Sequence, residues 1–202
     1  MIKFAIFDVG QTVYPYTLKP LSDLMLQHTT DKLAFLNGHT AFDYNYKPYM
    51  RGELPHQEFA KDLCSFCHVP YSDNLLKEIN TALHLGRGKM FEETLEAMRL
   101  FQSHNIKIGT LSNALPILGD AKTDLAKPEY IFTSYKLGLL KPDVKIYQTL
   151  AQKLGVAYKE ILFIDDKERN IIPARKLGIN GIIFNKETIL KEIEPYLPKD
   201  EN

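Results

Sequence analysis

Polar side chains follow apolar, strand-like runs at several places along the chain. These places are Asp8, Ser112-Asn113, Lys141 and Asp165-Asp166. Because the carboxyl ends of parallel strands meet at one edge of a sheet, and α/β proteins bind their ligands outside that edge, we expect these places to lie together. Taken singly, each has an ordinary structural explanation, such as a turn, a helix cap or a solvated lysine. It is the combination that points to chemistry.

The combination suits the transfer of a phosphoryl group. Asp165 and Asp166 are adjacent acids that repel each other at a buried strand end, so a bound cation is a natural reason for them. Together with Asp8 they offer the carboxylate oxygens that Mg²⁺ prefers. Ser112 adds a hydrogen-bond donor and Lys141 adds a positive charge, and phosphoryl transfer uses both. The sequence therefore predicts a Mg²⁺ site beside a phosphate-binding site.

The elements that must position these residues alternate along the chain. Short runs rich in apolar and β-branched residues are typical of strands buried on both faces of a parallel sheet. Such runs cover residues 2–9, 106–111, 130–133, 161–164 and 181–184. Helical periodicity lies between them, for example where Phe91, Leu95 and Met98 share one face. This alternation predicts an α/β protein with a doubly wound, Rossmann-like parallel sheet.

The stretch from residue 14 to residue 87 breaks the alternation. It contains no strand-like run, but helical patterns cover residues 21–36, 55–67 and 72–83. Pro55 fits a first helical turn and Ser72 fits an N-cap. We therefore expect a core domain of residues 1–13 and 88–202, interrupted by a helical cap domain of residues 14–87, with residues 86–89 as the hinge on the return.

Composition and charge exclude several other classes of protein. The 202 residues include 25 Lys and Arg against 25 Asp and Glu, 45% hydrophobic residues and two cysteines. A chain of this length buries roughly 70% of its surface and needs no disulfides to fold. A formal net charge of zero argues against a nucleic-acid partner, because Lys and Arg supply most of that affinity. No run of about 18 apolar residues is present to span a membrane. Asp8 comes too early for a signal peptide, so we expect a cytoplasmic protein.

In the segments that carry the polar residues, the chain resembles the haloacid dehalogenase-like (HAD) hydrolases, especially those with a helical cap after the first strand. The matching motifs, in order, are Phe7-Asp8-Val9-Gly10-Gln11-Thr12, Leu111-Ser112-Asn113, residues 137–143 around Lys141, and Phe163-Ile164-Asp165-Asp166. Their order and spacing agree over almost the whole chain, with room for a cap between the first and second motifs. The resemblance implies a Rossmann-like core with an inserted cap and the activity of a hydrolase.

By this resemblance, Asp8 is the nucleophile, and it forms an aspartyl-phosphate that water then hydrolyses. The same resemblance implies that Mg²⁺ is held by the Asp8 carboxylate, the backbone carbonyl of Gly10 and Asp166. Asp165 is then an acid that lies next to these ligands and supports them without binding the metal ion itself.

The resemblance also implies how the phosphate is bound. Ser112 and the backbone of Asn113 bind the oxygens of the transferring phosphoryl group. Lys141 neutralises charge between the nucleophile and the phosphate, so it belongs both to the catalytic residues and to the phosphate-binding residues.

The chain departs from most phosphatases of the family at Gly10. They carry an aspartate at this position, two residues after the nucleophile, as the general acid for the leaving group. Loss of a general acid typically lowers the rate by about 10²–10⁴, which is less than such enzymes gain in total. We therefore expect an active enzyme that favours leaving groups needing little protonation. The Asp-x-Gly form resembles a small subgroup that includes sugar 1-phosphate phosphatases, with Gln11 where that subgroup often has Asn.

The sequence thus predicts a Mg²⁺-dependent hydrolase, and in particular a phosphatase of a small phosphorylated metabolite, with sugar phosphates as a candidate class. Arg51 and several tyrosines near the cap entry could contact the leaving group or could instead pack the cap against the core. These tyrosines are Tyr14, Tyr16, Tyr44, Tyr46 and Tyr49.

Other functions stay open at this point. Gly10 is also compatible with a catalytically impaired protein that binds a phosphorylated ligand or a protein partner, although such a binder has no need of a nucleophile. Phosphonate cleavage would require a cap lysine that the sequence does not single out. Dehalogenation fits less well, because the paired acids Asp165 and Asp166 imply a metal ion that dehalogenases do not use. The sequence predicts no oligomeric state.

Overall fold

In the part of the chain that the structure describes, the central element is a parallel sheet of five strands. The computed structural model describes residues 1–120 and 128–198. The strands are β1 (Phe4–Phe7), β2 (Lys107–Ser112), β3 (Ile131–Thr133), β4 (Ile161–Asp165) and β5 (Asn180–Ile183). Their order is β3-β2-β1-β4-β5, and every neighbouring pair is parallel. The strand order reverses at β1, so the crevice at its carboxyl end is where this architecture binds ligands.

Helices cover both faces of the sheet and also form a separate group. They are α1 (Lys19–His28), α2 (Lys32–Leu36), α3 (Lys47–Met50), α4 (His56–Phe66), α5 (Asp73–Leu85), α6 (Glu92–Ser103), α7 (Ser134–Leu137), α8 (Val144–Leu154), α9 (Glu168–Lys176) and α10 (Ile189–Ile193). Side chains of β1 alternate between the two faces. Ala5 and Phe7 join one buried cluster, which includes α6 and α10 residues, and Phe4 and Ile6 join another, which includes α8 and α9 residues. The predicted doubly wound, Rossmann-like α/β fold is confirmed.

Helices α1 to α5 lie in residues 14–87, which we call the helical segment, and they share a hydrophobic core of their own. That core contains Leu21, Met25, Phe59, Leu63, Ile79 and Leu83, all fully buried. The prediction of an N-cap at Ser72 is confirmed, because its hydroxyl accepts a hydrogen bond from the Leu75 backbone N–H at 3.1 Å. Pro55 lies one residue before α4, at the N-cap position.

The prediction of one helix over residues 21–36 is wrong, because α1 ends at His28 and α2 begins at Lys32. Thr29 between them is extended, and its hydroxyl donates to the carbonyl of Cys67 at 2.8 Å. Asp31 then caps α2 by accepting from the Ala34 N–H at 2.9 Å. A bond to a residue distant in sequence therefore ends the first helix.

Two short stretches of backbone that run side by side join the helical segment to the core. Tyr16 and Arg87 form an antiparallel bridge, and the Thr17 N–H donates to the Gly86 carbonyl at 2.9 Å. Glycine is required at position 86, because a Cβ there would collide with the Thr17 carbonyl oxygen. The entry and the exit of the helical segment therefore lie next to each other.

The helical segment also rests on the core at the far side of the crevice. The Ser134 hydroxyl at the start of α7 donates to the Met50 carbonyl at 2.7 Å and accepts from the Ala114 N–H at 3.1 Å. The Tyr49 hydroxyl accepts from the Ile117 N–H at 3.2 Å. These bonds tie α3 to the loop that follows β2, so the crevice is closed on two sides.

Within residues 1–120 and 128–198, none of the helices is both long and apolar enough to cross a membrane.

Candidate active site

A cavity of about 420 Å³ lies between the carboxyl ends of the strands and the helical segment. The core contributes several of the residues that the sequence singled out, namely Asp8, Gly10, Ser112, Asn113 and Lys141. Asp165 and Asp166 lie beside Asp8, with one carboxylate oxygen of each of the three acids within 4.8 Å of the others. The structure therefore brings all the predicted site residues to one edge of the sheet.

Lys141 is the centre of this arrangement. Its Nζ donates to Asp8 Oδ1 at 2.6 Å, to Asp165 Oδ2 at 2.7 Å and to the Leu111 carbonyl at 2.8 Å. An ammonium group has three donors, so all of them are used. All three side chains of this ion-pair network are buried. Asp8 itself is held beside β4, because its backbone N–H donates to the Ile164 carbonyl at 2.8 Å.

Burial and charge act against each other in this network. Burial raises the pKa of Asp8 from 3.8 to about 6, with Asp165 adding to the rise and Lys141 opposing it. Burial alone would lower the pKa of Lys141, but the carboxylates of Asp8 and Asp165 outweigh it and raise that pKa above its usual value. At neutral pH the lysine is therefore charged and Asp8 is mostly ionised.

The two adjacent acids, Asp165 and Asp166, differ in their hydrogen-bond partners. Asp165 accepts hydrogen bonds from Lys141, from the Asn170 side-chain amide at 2.8 and 2.9 Å, and from the Lys167 N–H at 2.9 Å. Asp166 instead keeps its Oδ1 buried with no hydrogen-bond partner among the described residues. Its pKa is raised chiefly by that burial.

An unpartnered buried oxygen of this kind is expected where a cation binds. The group formed by Asp8, Asp165 and Asp166 offers oxygen donors only, which suits Mg²⁺. Asp165 already has partners for both of its oxygens, so Asp8 and Asp166 are the acids left to hold a metal ion. Gly10 lines the cavity beside them. The residues present therefore fit a magnesium ion.

Asn113 has a side-chain contact that the sequence did not indicate. Its Oδ1 accepts from the Lys141 backbone N–H, and its Nδ2 donates to the Lys141 carbonyl, both at 2.9 Å. The amide thus holds the backbone of the lysine on both sides. Ser112 ends β2 and lines the cavity next to it.

Asn170 is a site residue that sequence reasoning missed. It is buried near the start of α9, and its amide fixes the Asp165 carboxylate that in turn holds Lys141. The only signal available was a polar residue on a helix face that is otherwise apolar. Arg87, Lys167 and Arg169 also line the cavity and were not predicted to do so.

The loop after Asp8 shows what Gly10 and Gln11 do. A Cβ added at Gly10 would meet nothing within 4 Å, and its φ lies outside the left-handed region. Gln11 is left-handed, with φ of 65°, and its side-chain amide donates to the Tyr16 carbonyl at 2.9 Å. Gln11 therefore ties this loop to the entry of the helical segment, while the space for a side chain at Gly10 is open.

The residues expected near the leaving group divide into two sets. Tyr14, Tyr16 and Tyr46 line the cavity. Tyr44 and Tyr49 pack inside the helical segment instead, with Tyr49 stacked on Phe59 at 4.0 Å between ring centres. Arg51 pairs with Glu53 at 2.6 Å and is not among the residues that line the cavity.

Comparison with known sequences agrees with this geometry. The sequence pattern of the haloacid dehalogenase-like hydrolases matches residues 3–178. Mouse acyl-CoA dehydrogenase family member 10 is 26% identical over 161 residues, which cover 74% of this chain and 14% of that protein. Human magnesium-dependent phosphatase 1 is 25% identical over 114 residues, which cover 54% of this chain and 64% of that protein. The chain spans less than two thirds of the length of both relatives.

Comparison with solved structures gives the same fold. A HAD family enzyme from Bacteroides thetaiotaomicron, solved with magnesium and inorganic phosphate, is 20% identical and has a TM-score of 0.69. The match covers 92% of this chain and 96% of that enzyme. Since the family pattern extends over most of the sequence as well, the chain belongs to the haloacid dehalogenase-like hydrolase family.

Proposed function

We propose that the protein is a Mg²⁺-dependent phosphatase that hydrolyses small phosphorylated metabolites. The observation that carries the proposal is the buried contact of Lys141 Nζ with Asp8 Oδ1 at 2.6 Å, beside the unpartnered oxygen of Asp166. It combines an ionised nucleophile, a fixed positive charge and a site for a cation. Two similar proteins support the proposal: one is the human magnesium-dependent phosphatase, and the other is the Bacteroides enzyme solved with magnesium and phosphate.

In this proposal, Asp8 attacks the phosphorus atom and forms an aspartyl-phosphate, while the bond from phosphorus to the leaving-group oxygen breaks and the organic group departs. Water then hydrolyses the aspartyl-phosphate to inorganic phosphate and free Asp8. Asp8, Asp166 and the Gly10 carbonyl would hold the Mg²⁺ ion, which would supply positive charge next to the phosphoryl oxygens. Lys141 keeps a second positive charge against Asp8, and Asp165 holds that ammonium group in position. Ser112 and the backbone of Asn113 donate hydrogen bonds to the phosphoryl oxygens.

The helical segment has its own part in the proposal. We assign residues 14–87 to a cap domain and residues 1–13 and 88–202 to the core, as the sequence predicts. The cavity lies between the two, so the cap excludes water from the phosphoryl group and contacts the rest of the substrate.

Phosphate release with and without metal tests the proposal. The purified chain is incubated with acetyl phosphate, 4-nitrophenyl phosphate and a set of sugar phosphates, in Mg²⁺ or in excess chelator. We expect turnover in Mg²⁺ that falls by at least about 10²-fold in chelator and returns when Mg²⁺ is restored, because the developing charge is otherwise unbalanced. If no substrate of the panel shows Mg²⁺-dependent turnover, the proposal is wrong.

Gly10→Asp is expected to restore a general acid. The backbone of Gly10 is outside the left-handed region and its side-chain space is open, so aspartate can be accommodated there. A positioned acid contributes about 10²–10⁴ to a step that needs protonation of the leaving group. We therefore expect hydrolysis of alkyl phosphates to rise about tenfold or more, and that of acetyl phosphate to change by less than about threefold.

Gly10→Asn is the matched control for this measurement, because the amide has the same size and carries no transferable proton. Equal gains for alkyl and acyl phosphates, or the same gain in Gly10→Asn, would show that leaving-group protonation is not what limits the wild-type enzyme.

A further inference from the structure

The active-site cavity has two chemically different ends. One end carries the charged and polar groups around Asp8 and Lys141. The other is contributed by the helical segment and by the loop after β2, and its described lining is largely apolar or aromatic. That wall contains Leu18, Phe42, Tyr46, Met50, Leu115 and Leu118. A phosphorylated molecule placed with its phosphate on the polar end would direct its organic group at this wall.

The hydroxyls of Tyr46 on this wall and of Tyr16, which also lines the cavity, are already used by the protein. The Tyr46 hydroxyl donates to the Ala41 carbonyl at 2.7 Å, and the Tyr16 hydroxyl donates to the Leu83 carbonyl at 3.3 Å. Both bonds run back into the helical segment. The two residues therefore offer the cavity the carbon surface of their rings.

Thr17 and Arg87, which also line the cavity, have partners within the protein as well. The Thr17 hydroxyl accepts from the Lys19 N–H at 3.1 Å. The Arg87 guanidinium lies over the Tyr14 ring, 5.6 Å from its centre, and donates to the Leu118 carbonyl at 3.3 Å. Lys167 and Arg169 follow Asp166 in the chain, at the polar end of the cavity. At the apolar wall, a group rich in hydroxyls would therefore lose its bonds to water and would find few partners among the described wall residues.

We propose that this wall binds the organic group of the substrate and that this group is apolar, an aliphatic chain or an aromatic ring, and not a sugar. The inference rests on the proposed phosphatase function and names its substrate class. Phe42, Tyr46 and Met50 are then residues that determine specificity. Phe42 lines the cavity and is 57% exposed, so its ring has free surface that a ligand in the cavity can cover.

Binding of alkylphosphonates to the full chain in Mg²⁺ tests the inference by calorimetry. The carbon–phosphorus bond of these compounds resists hydrolysis, so the result does not depend on turnover. From methyl- to propyl- to hexylphosphonate we expect the dissociation constant to fall about two- to fourfold for each added methylene. The upper end of this range corresponds to complete transfer of each methylene group from water into an apolar environment. Constant affinity along the series would overturn the inference.

Two polar analogues sharpen the comparison. We expect 2,3-dihydroxypropylphosphonate to bind at least about fivefold more weakly than propylphosphonate, because its hydroxyls are desolvated without compensation. We expect 5-carboxypentylphosphonate to bind more weakly than hexylphosphonate. Tighter binding of either polar analogue would overturn the inference, and tighter binding of the carboxylate would indicate that Arg87 receives a second anion.

Phe42→Ser and Leu33→Ser form a matched pair of variants. Leu33 is 73% exposed on α2 and is not among the cavity-lining residues, whereas Phe42 lines the cavity. We expect Phe42→Ser to reduce the ratio of hexyl- to methylphosphonate affinity by about fivefold or more, and Leu33→Ser to keep the wild-type ratio. Equal ratios in both variants would remove Phe42 from the specificity residues.

Mg²⁺-dependent turnover of the whole phosphate panel, acetyl phosphate included, is measured on the same preparation, and it separates the two proposals. Its absence would overturn the phosphatase function. Turnover without any dependence of affinity on chain length would leave the phosphatase function standing and would overturn the apolar substrate class.

Discussion

Asp8→Asn is expected to abolish phosphate release, lowering kcat by about four orders of magnitude or more, since an amide cannot attack phosphorus. The fold should tolerate the change. Lys141 contacts both Asp8 and Asp165, so after neutralisation of Asp8 one cation still faces one anion in the buried network. The measurement is phosphate release from acetyl phosphate, together with thermal unfolding of the same samples.

Asp23→Asn is the matched control for this variant. Asp23 pairs with Lys19 at 2.6 Å, which is the same kind of contact as that of Asp8, but its side chain is exposed. We expect wild-type turnover from it. Turnover that survives in Asp8→Asn would show that another group is the nucleophile.

When Mg²⁺ is absent, the difference in stability between the wild type and Asp8→Asn should change with pH in a definite direction. The pKa of Asp8 is raised from 3.8 to about 6 in the folded protein, so the native state binds a proton more tightly than the unfolded state. The wild type therefore loses stability relative to the variant as the pH rises from 4 to 6. Urea unfolding at the two pH values measures the difference, and the opposite sign would contradict the raised pKa.

Lys141→Met is expected to lower both activity and stability. The substitution leaves the carboxylates of Asp8 and Asp165 buried side by side without their cation. Removing one partner of a buried ion pair typically destabilises a protein by about 3–5 kcal/mol. For a chain of this size that corresponds to a drop of about 10 °C in Tm. We expect kcat to fall at least about 10³-fold, since the positive charge beside the nucleophile is lost.

Two further variants separate the structural from the catalytic part of this effect. In Lys141→Met with Asp165→Asn only one buried carboxylate remains, so stability should recover in large part while turnover stays low. Lys19→Met removes an exposed lysine that also contacts an aspartate at 2.6 Å. We expect it to lower the free energy of unfolding by less than about 1 kcal/mol. A Lys141→Met protein with wild-type Tm would contradict the importance of the buried network.

The fold was predictable because its strands are buried on both faces. A strand such as β1, whose residues Phe4–Phe7 are all buried, must be continuously apolar, and such runs can be found without knowledge of their partners. The proximity of the candidate site residues to one another was predictable for a related reason. They follow these strands directly, so the parallel topology alone brings Asp8 and Asp165 to one edge.

The features that the sequence did not predict depend on contacts between residues far apart in the chain or on elements too short to leave a pattern. The break between α1 and α2 rests on the bond from Thr29 to Cys67, and no local pattern shows it. Helix α3 has four residues, too few for a periodic signal. Asn170 acquires its role only when α9 packs beside β4. Tyr46 and Tyr49 are alike in sequence context, and packing alone decides that Tyr46 lines the cavity.

The paired backbone at Tyr16 and Arg87 has a consequence for how such a protein can change over time. The chain leaves the core and returns to it at adjacent points, so the helical segment is joined covalently to the core at one place, in the loop after β1. Insertions with neighbouring ends are the ones a fold accepts most readily, because the host chain need not be rerouted. The residues around Lys141 could therefore be inherited unchanged while the helices above them were exchanged, so that one reaction could serve successive substrates.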